Sequence, residues 1–149
     1  MALFLSTFTN KIDGKGRVSI PAQFRASLVN ESFSGVVVYE SFINDCIEGC
    51  DLERIKKISE SIDNLDPFSE ERDAFATAVL GGSFQLAIDG DGRVILPETL
   101  LKKAKLKDSA GFVGKGSIFQ IWNPTKFEDY MAQAKKDAKE KRNLLRLAK

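Results

Sequence analysis

The chain has 149 residues, of which 43% are hydrophobic and 29% are charged, a composition typical of one folded globular domain. It contains no histidine and only two cysteines, Cys46 and Cys50, so Ser-His-Asp and Cys-His catalysis and the common zinc sites are excluded. We expect a non-enzymatic protein with no cofactor, no metal and no small-molecule substrate. Two cysteines are too few for a secreted disulfide framework, so we expect two small apolar core residues and a cytoplasmic protein.

Hydropathy and charge along the chain restrict the partners. No segment approaches the roughly 18 apolar residues of a membrane-spanning helix, and the first residues do not resemble a secretion signal, so no membrane partner is expected.

The net charge of +1 divides into +3 over residues 1–30, −10 over residues 31–100 and +8 over residues 101–149. Basic ends around an acidic middle would let one face attract a polyanion. A merely solvated C-terminal helix explains the last basic segment equally well.

An internal repeat organises the chain. A shift of 76 residues aligns residues 8–21 with residues 84–97, and eight of these fourteen positions are identical. Each copy precedes a short helical stretch and two short strand-like segments, which end at a predicted helix N-cap, Asp51 or Asn123. The predicted order in each half is strand, glycine turn, strand, short helix, strand, strand and helix.

Each copy contains an Asp-Gly-x-Gly turn followed by arginine, which we name loop 1 (residues 13–17) and loop 2 (residues 89–93). Glycine adopts positive φ without steric cost, and aspartate hydrogen-bonds the backbone of tight turns. The predicted turn-structuring residues are Asp13, Gly14, Gly16, Asp89, Gly90 and Gly92. Pro21 and Pro97 suit the first turn of the short helix that follows each copy.

The predicted segments are a first repeat at 7–54, a helical connection at 55–82, a second repeat at 83–126 and a C-terminal amphipathic helix at 127–149. Each half has only about 45 residues outside the connecting helices, close to the limit for an independent core. The two halves must therefore pack against each other. Unpaired sheet edges further suggest association between chains, so we expect an oligomer.

The two loops differ in charge, because Lys15 of loop 1 corresponds to Asp91 of loop 2. Strand alternation would direct Lys15 and Arg17 to one side, outside the core. There Arg17 could donate to guanine O6 and N7 while Lys15 contacts a phosphate or a second guanine, and the glycines would let backbone N–H groups approach a phosphate. The alternative is that Arg17 forms a salt bridge with Asp13 that only fixes the turn.

The candidate DNA-binding residues are Lys11, Lys15, Arg17 and Arg25, with Arg93 as a candidate secondary DNA or interface contact. A calcium loop beginning at Asp89 is rejected, because its sixth position is Val94 instead of glycine and its twelfth is Leu100 instead of glutamate. An enzyme using Asp13 and Asp89 has little support, since both precede turn glycines.

The repeats resemble the twin DxxGR motifs of the MraZ family. The matching segments are Asp13-Gly-Lys-Gly-Arg17-Val-Ser-Ile-Pro21 with Phe24-Arg25-x2-Leu28, and Asp89-Gly-Asp-Gly-Arg93-Val-Ile-Leu-Pro97. Phe119-Gln-Ile-Trp-Asn-Pro124 is similar to the family's F-E-[IL]-W-[DN]-P. The likeness runs from Phe4 to about Tyr130. Two departures are Ser6, where the family usually has glycine, and Gly49-Cys50-Asp51, which replaces the usual Leu/Ile-Tyr-Pro.

The resemblance implies a mainly β, α+β fold in which two AbrB-like swapped-hairpin repeats form a double-split β-barrel with connecting helices. It also implies a ring-shaped homo-oligomer that regulates transcription by binding double-stranded DNA. The implied operator is a set of promoter-proximal G-rich direct repeats upstream of the bacterial division and cell wall genes. The implied location is the cytoplasm, at the nucleoid. Lys15 and Arg17 match the family's DNA-contacting positions, and Arg93 matches the motif without its lysine. An antitoxin-like or other protein-interaction module with the same hairpin fold is the alternative.

Overall fold

A computed structural model describes residues 2–28 and 33–148. The first half contains β1 (Thr7–Lys11), β2 (Arg17–Ser19), α1 (Ala22–Leu28), β3 (Gly35–Glu40) and β4 (Ile47–Cys50). Two helices follow, α2 (Leu52–Asp63) and α3 (Glu70–Phe75), and α3 continues into a π-helical segment (Ala76–Gly81). The second half contains β5 (Phe84–Ala87), β6 (Arg93–Ile95), α4 (Glu98–Lys103), β7 (Ser109–Gly114), β8 (Phe119–Trp122) and α5 (Pro124–Glu140). A short 3-10 turn (Arg142–Leu144) is the last regular element of the described residues.

The predicted order of elements is confirmed in both halves. Asp51 caps α2 by accepting a hydrogen bond from the Arg54 N–H at 2.8 Å, and Asn123 caps α5 by accepting from two backbone N–H groups. The predicted position of the prolines is wrong by one residue. Pro97 adopts φ −58° and ψ 140° outside α4, and its carbonyl accepts the first hydrogen bonds of that helix; Pro21 likewise precedes α1.

The starts of two helices follow their predicted caps. Helix α2 begins at Leu52, directly after Asp51, and helix α5 begins at Pro124, directly after Asn123. Helix α5 is regular to Glu140. A proline directly after an asparagine cap occupies a position where its missing N–H needs no partner.

The two halves exchange strands. A six-stranded antiparallel sheet has the order β1-β7-β8-β4-β3-β5, and β2 pairs with β6 in a separate two-stranded ribbon. Strand β1 of the first half therefore lies along β7 of the second, while β5 of the second half lies along β3 of the first. This exchange is the α+β arrangement expected of two swapped-hairpin repeats, and it is consistent with a double-split barrel.

One core serves both halves. Phe4, Phe24 and Phe119 are fully buried, and their ring centroids lie 5.1 to 5.3 Å apart. Val18 of β2 and Val94 of β6 are buried in the same cluster. Because the ribbon is fixed to this core, the loops that precede its strands are held on a rigid base.

Two smaller clusters attach the longer helices. Cys50, Tyr39 and Val79 pack together under α2 and the π-helical segment. Trp122 packs against Phe127 of α5 and stacks on Tyr130 at 4.6 Å.

Both cysteines are buried and unpaired, and burial raises the pKa of each thiol to about 12, so they act as the apolar core residues that the sequence predicted. Among the described helices none is long and apolar enough to span a bilayer.

Candidate nucleic-acid interface

The β2–β6 ribbon places the two motif arginines on one face. Arg17 lies opposite Ile95 and Ser19 lies opposite Arg93, while Val18 lies opposite Val94. Residues opposite each other in a ladder share a face, and the valines are the buried ones. The outward face of the ribbon is therefore formed by Arg17, Ser19, Arg93 and Ile95. Ser19 and Ile95 could not be identified from the sequence, because only the pairing of β2 with β6 brings them beside the arginines.

Asp13 organises loop 1. One carboxylate oxygen accepts hydrogen bonds from the backbone N–H groups of Lys15 and Arg17, each at 2.9 Å. Its backbone carbonyl accepts from the N–H of Gly16, which has φ 82°. These backbone donors are therefore engaged inside the turn, and the expectation that they are open to a phosphate is wrong for these three residues.

Asp13 also orients the arginine. Its second carboxylate oxygen accepts a hydrogen bond from Nε of Arg17 at 2.7 Å. The pKa of Asp13 is lowered to about 2, chiefly by the backbone N–H of Arg17 and next by its guanidinium. The carboxylate is therefore charged at neutral pH. Across the described residues, nothing accepts a hydrogen bond from the terminal nitrogens of Arg17. The salt bridge therefore fixes the side chain and leaves its outer edge free to bind.

Loop 2 has the same backbone and a different charge arrangement. Asp89 accepts from the N–H groups of Asp91 and Arg93, each at 2.9 Å, and these contacts lower its pKa. Nε of Arg93 is 3.4 Å from the Asp89 carboxylate and makes no hydrogen bond to the described residues. Its Nη2 donates to Asp91 at 3.2 Å. Arg93 is therefore shared between two carboxylates, whereas the Arg17 guanidinium contacts one.

Arg25 lies beside loop 2 and not beside loop 1, its neighbour in sequence. Its Nη1 donates to the carbonyl of Ile20 at 2.7 Å, and its guanidinium packs on the backbone of Gly92. In the second repeat, Leu101 occupies the position that corresponds to Arg25, and it packs on Gly16 of loop 1. Lys11 is exposed at the end of β1, next to loop 1, and Lys15 is exposed at the tip of the loop.

Comparison with known proteins agrees with this repeat structure. The family model described as "MraZ protein, putative antitoxin-like" matches residues 3–77 and 79–147. A protein of Rickettsia bellii is 53% identical over 147 residues, with 98% of each chain covered. Proteins of Rickettsia felis and Rickettsia akari are 53% and 51% identical over 148 residues, with 99% of each chain covered. All three are named "Transcriptional regulator MraZ". The chain belongs to the MraZ family.

Proposed function

We propose that this protein is a non-enzymatic transcriptional regulator that binds double-stranded DNA through the outward face of the β2–β6 ribbon. The names of its relatives support the regulatory role. The observation that supports this DNA-binding face best is the contact between Asp13 and Nε of Arg17, which orients the guanidinium and leaves its terminal nitrogens unoccupied by described residues. Arg17 is the proposed base-reading residue.

The shape and charge of loop 1 fit the major groove, which is wide enough for a two-stranded ribbon. Two parallel N–H donors of an arginine match O6 and N7 of guanine, and this match favours G-rich sites. Lys15 at the loop tip and Lys11 beside it are the proposed phosphate contacts. Arg25 is proposed as a further DNA contact beside loop 2, through the part of its guanidinium that Ile20 and Gly92 do not contact.

In the proposed ring-shaped homo-oligomer, several copies of loop 1 bind the direct repeats of the DNA at the same time. The ionisable side chains of loop 1 sum to only +1, so one copy alone binds weakly. Several copies on direct repeats would bind cooperatively through effective concentration. Exposed apolar side chains outside the core favour contacts between chains. Exposed large apolar side chains away from the ribbon include Leu3, Leu5, Ile43 and Phe68.

The family resemblance supports the remaining details of the proposal. These are G-rich direct repeats near the promoter of the division and cell wall gene cluster, and a cytoplasmic protein at the nucleoid. The second candidate function is a protein-interaction module, which the family description "antitoxin-like" favours. A protein of that class would show no salt-dependent preference for operator DNA.

The deciding experiment is fluorescence anisotropy with DNA from upstream of the protein's own gene and with a scrambled duplex. Wild type should prefer the upstream DNA, and the slope of log K against log salt should be about −0.9 for each neutralised phosphate. Arg17→Ala should weaken specific binding by about 5- to 150-fold, because one bidentate contact contributes about 1–3 kcal/mol of base discrimination.

Arg72→Ala on α3 is the charge-matched control, since the Arg72 guanidinium pairs with Asp63 at 2.8 Å, away from the ribbon. We expect it to bind the upstream DNA nearly as wild type does. Circular dichroism verifies that both variants are folded, and sedimentation velocity measures the assembly. Unchanged operator affinity in folded Arg17→Ala would overturn the proposed role of Arg17. Absence of DNA binding by wild type at low salt would favour the interaction module.

A further inference from the structure

A groove of about 390 Å³ lies between α2, the π-helical segment and the β3–β4 hairpin. Its volume is in the range of small-molecule sites. The apolar side chains that line it are Phe42, Ile58, Ile62, Leu65, Phe75 and Val79. Val79 belongs to the π-helical segment, and segments of this kind often occur at functional sites. None of the residues that line the groove belongs to loop 1, loop 2 or the outward face of the ribbon.

Glu48, which lines one side of the groove, already has a hydrogen-bond partner. Its carboxylate accepts a hydrogen bond from Nε2 of Gln120 at 3.0 Å. Burial, followed by the charge of Glu48, raises the pKa of the neighbouring Tyr39 hydroxyl, so this hydroxyl is neutral. The acidic group of the groove therefore already has a neutral hydrogen-bond donor.

The basic groups of the groove are not satisfied in the same way. Nε of Arg54 is buried and has no hydrogen-bond acceptor within the described part of the chain. Neither Arg54 nor Lys57, one helical turn further along α2, forms an ion pair with any described residue, yet both line the groove. A buried donor without an acceptor is unfavourable, and a guanidinium binds a carboxylate through paired hydrogen bonds. The unused binding capacity of the groove is therefore cationic.

We propose that this groove binds a small amphipathic carboxylate. Its hydrocarbon or aromatic body would lie among the apolar side chains, and its carboxylate would bind Arg54 and Lys57. The proposal goes beyond DNA binding, because the residues involved are separate from the ribbon and the ligand needs no DNA to bind.

Octanoate is a suitable probe, and octan-1-ol is a neutral analogue with the same chain length. Isothermal titration calorimetry of the full-length protein without DNA should show octanoate binding more tightly than octan-1-ol. Arg54→Gln should weaken octanoate binding at least tenfold and leave octan-1-ol binding unchanged. The matched control is Arg72→Gln on α3, whose guanidinium pairs with Asp63 at 2.8 Å outside the groove. This control should bind octanoate as wild type does.

Lys57→Gln is the second variant, because Lys57 is exposed and its replacement does not disturb the core. We expect octanoate binding about threefold weaker, consistent with loss of one exposed charge contact. Absence of octanoate binding, equal binding of octan-1-ol, or unchanged octanoate affinity in both folded variants would overturn the proposal. A second copy covering the groove would also overturn it. In that case octanoate would not bind wild type, and Phe75→Ser would reduce the assembly mass in sedimentation velocity.

Discussion

Arg25 of helix α1 packs on Gly92, so the short helix of the first half supports the loop of the second. A Cβ atom on Gly92 would lie 2.7 Å from Cζ of Arg25. The reciprocal contact has Leu101 of α4 against Gly16, where a Cβ would lie 3.4 Å from the leucine methyl and 3.1 Å from the carbonyl of Leu96. Each loop is therefore formed on the surface of the opposite half.

This packing predicts which loop glycines tolerate a side chain. Gly16 and Gly92 have φ of 82° and 78°, a conformation that costs other residues about 1–2 kcal/mol. Gly16→Ala and Gly92→Ala should each lower the free energy of unfolding by about that amount in urea denaturation.

The controls are the neighbouring glycines of the same turns. Gly14 and Gly90 have no atom within 4 Å of an added Cβ and no positive φ. Gly14→Ala and Gly90→Ala should remain within about 0.5 kcal/mol of wild type, as exposed substitutions usually do. Equal losses at all four glycines would contradict the assigned roles.

The parts of the fold that the sequence predicted correctly are those that depend on residues close together in the chain. The Asp-Gly-x-Gly turns and the caps Asp51 and Asn123 depend on residues a few positions apart, and the structure has them at those positions. The repeat identifies two equivalent units, but the pairing of β1 with β7 joins residues about 100 positions apart. Only the family resemblance, and not residue periodicity, implied this exchange.

Parts of the site could not be predicted because they depend on the exchange. Arg25 is eight residues from Arg17 in sequence, yet α1 places it under loop 2. The backbone donors of loop 1 were expected to meet phosphate, but Asp13 accepts hydrogen bonds from three of them. A turn motif indicates that these donors exist. It does not specify which acceptor they meet.

Acid titration should reveal the contribution of Asp13. Its folded-state pKa is lowered to about 2 from an ordinary value of 3.8. A carboxylate with a lowered pKa stabilises the fold above its unfolded-state pKa, and this stabilisation is lost as pH falls from about 4 toward 2. Asp13→Asn should therefore be less stable than wild type at neutral pH, and the difference should shrink in urea denaturation as pH falls through this window.

A second variant separates the causes of this shift. The backbone N–H of Arg17 is the largest cause, and the Arg17 side chain comes next. Arg17→Gln keeps the backbone donor, so the pKa of Asp13 should rise only partly toward its ordinary value. Carboxyl-detected NMR titration measures this directly. A full return to 3.8 would mean that the guanidinium alone holds the carboxylate in its charged form.

Asp91 should reduce DNA attraction at loop 2. It accepts a hydrogen bond from Nη2 of Arg93 and stands where loop 1 has Lys15. Asp91→Lys would release that nitrogen and raise the charge of the proposed DNA-binding face by two. We expect tighter binding to scrambled DNA and a salt slope steeper by about 0.9 for each phosphate newly contacted. Anisotropy across a salt series measures both quantities.

Glu128→Lys on α5 is the charge-matched control for this prediction. Glu128 is exposed on α5, outside the ribbon, and takes part in none of the ion pairs of the described residues. If Glu128→Lys steepens the salt slope as much as Asp91→Lys does, total charge and not the position of loop 2 governs the effect.

Ser6 should be a site where glycine increases stability. It has φ 76° immediately before β1, its side chain is exposed, and its carbonyl accepts a hydrogen bond from the N–H of Gly114 at 2.8 Å. Relief of left-handed strain is worth about 1–2 kcal/mol, and the greater flexibility of glycine in the unfolded chain offsets about 0.5–1 kcal/mol. Ser6→Gly should raise the free energy of unfolding by about 0.5–1 kcal/mol in urea denaturation.

Thr7→Gly is the control, one residue later in the strand that pairs with β7. It should lower the free energy of unfolding by a similar amount, since glycine weakens a strand interior. A loss of stability in Ser6→Gly would show that the hydroxymethyl side chain stabilises this turn more than the strain destabilises it.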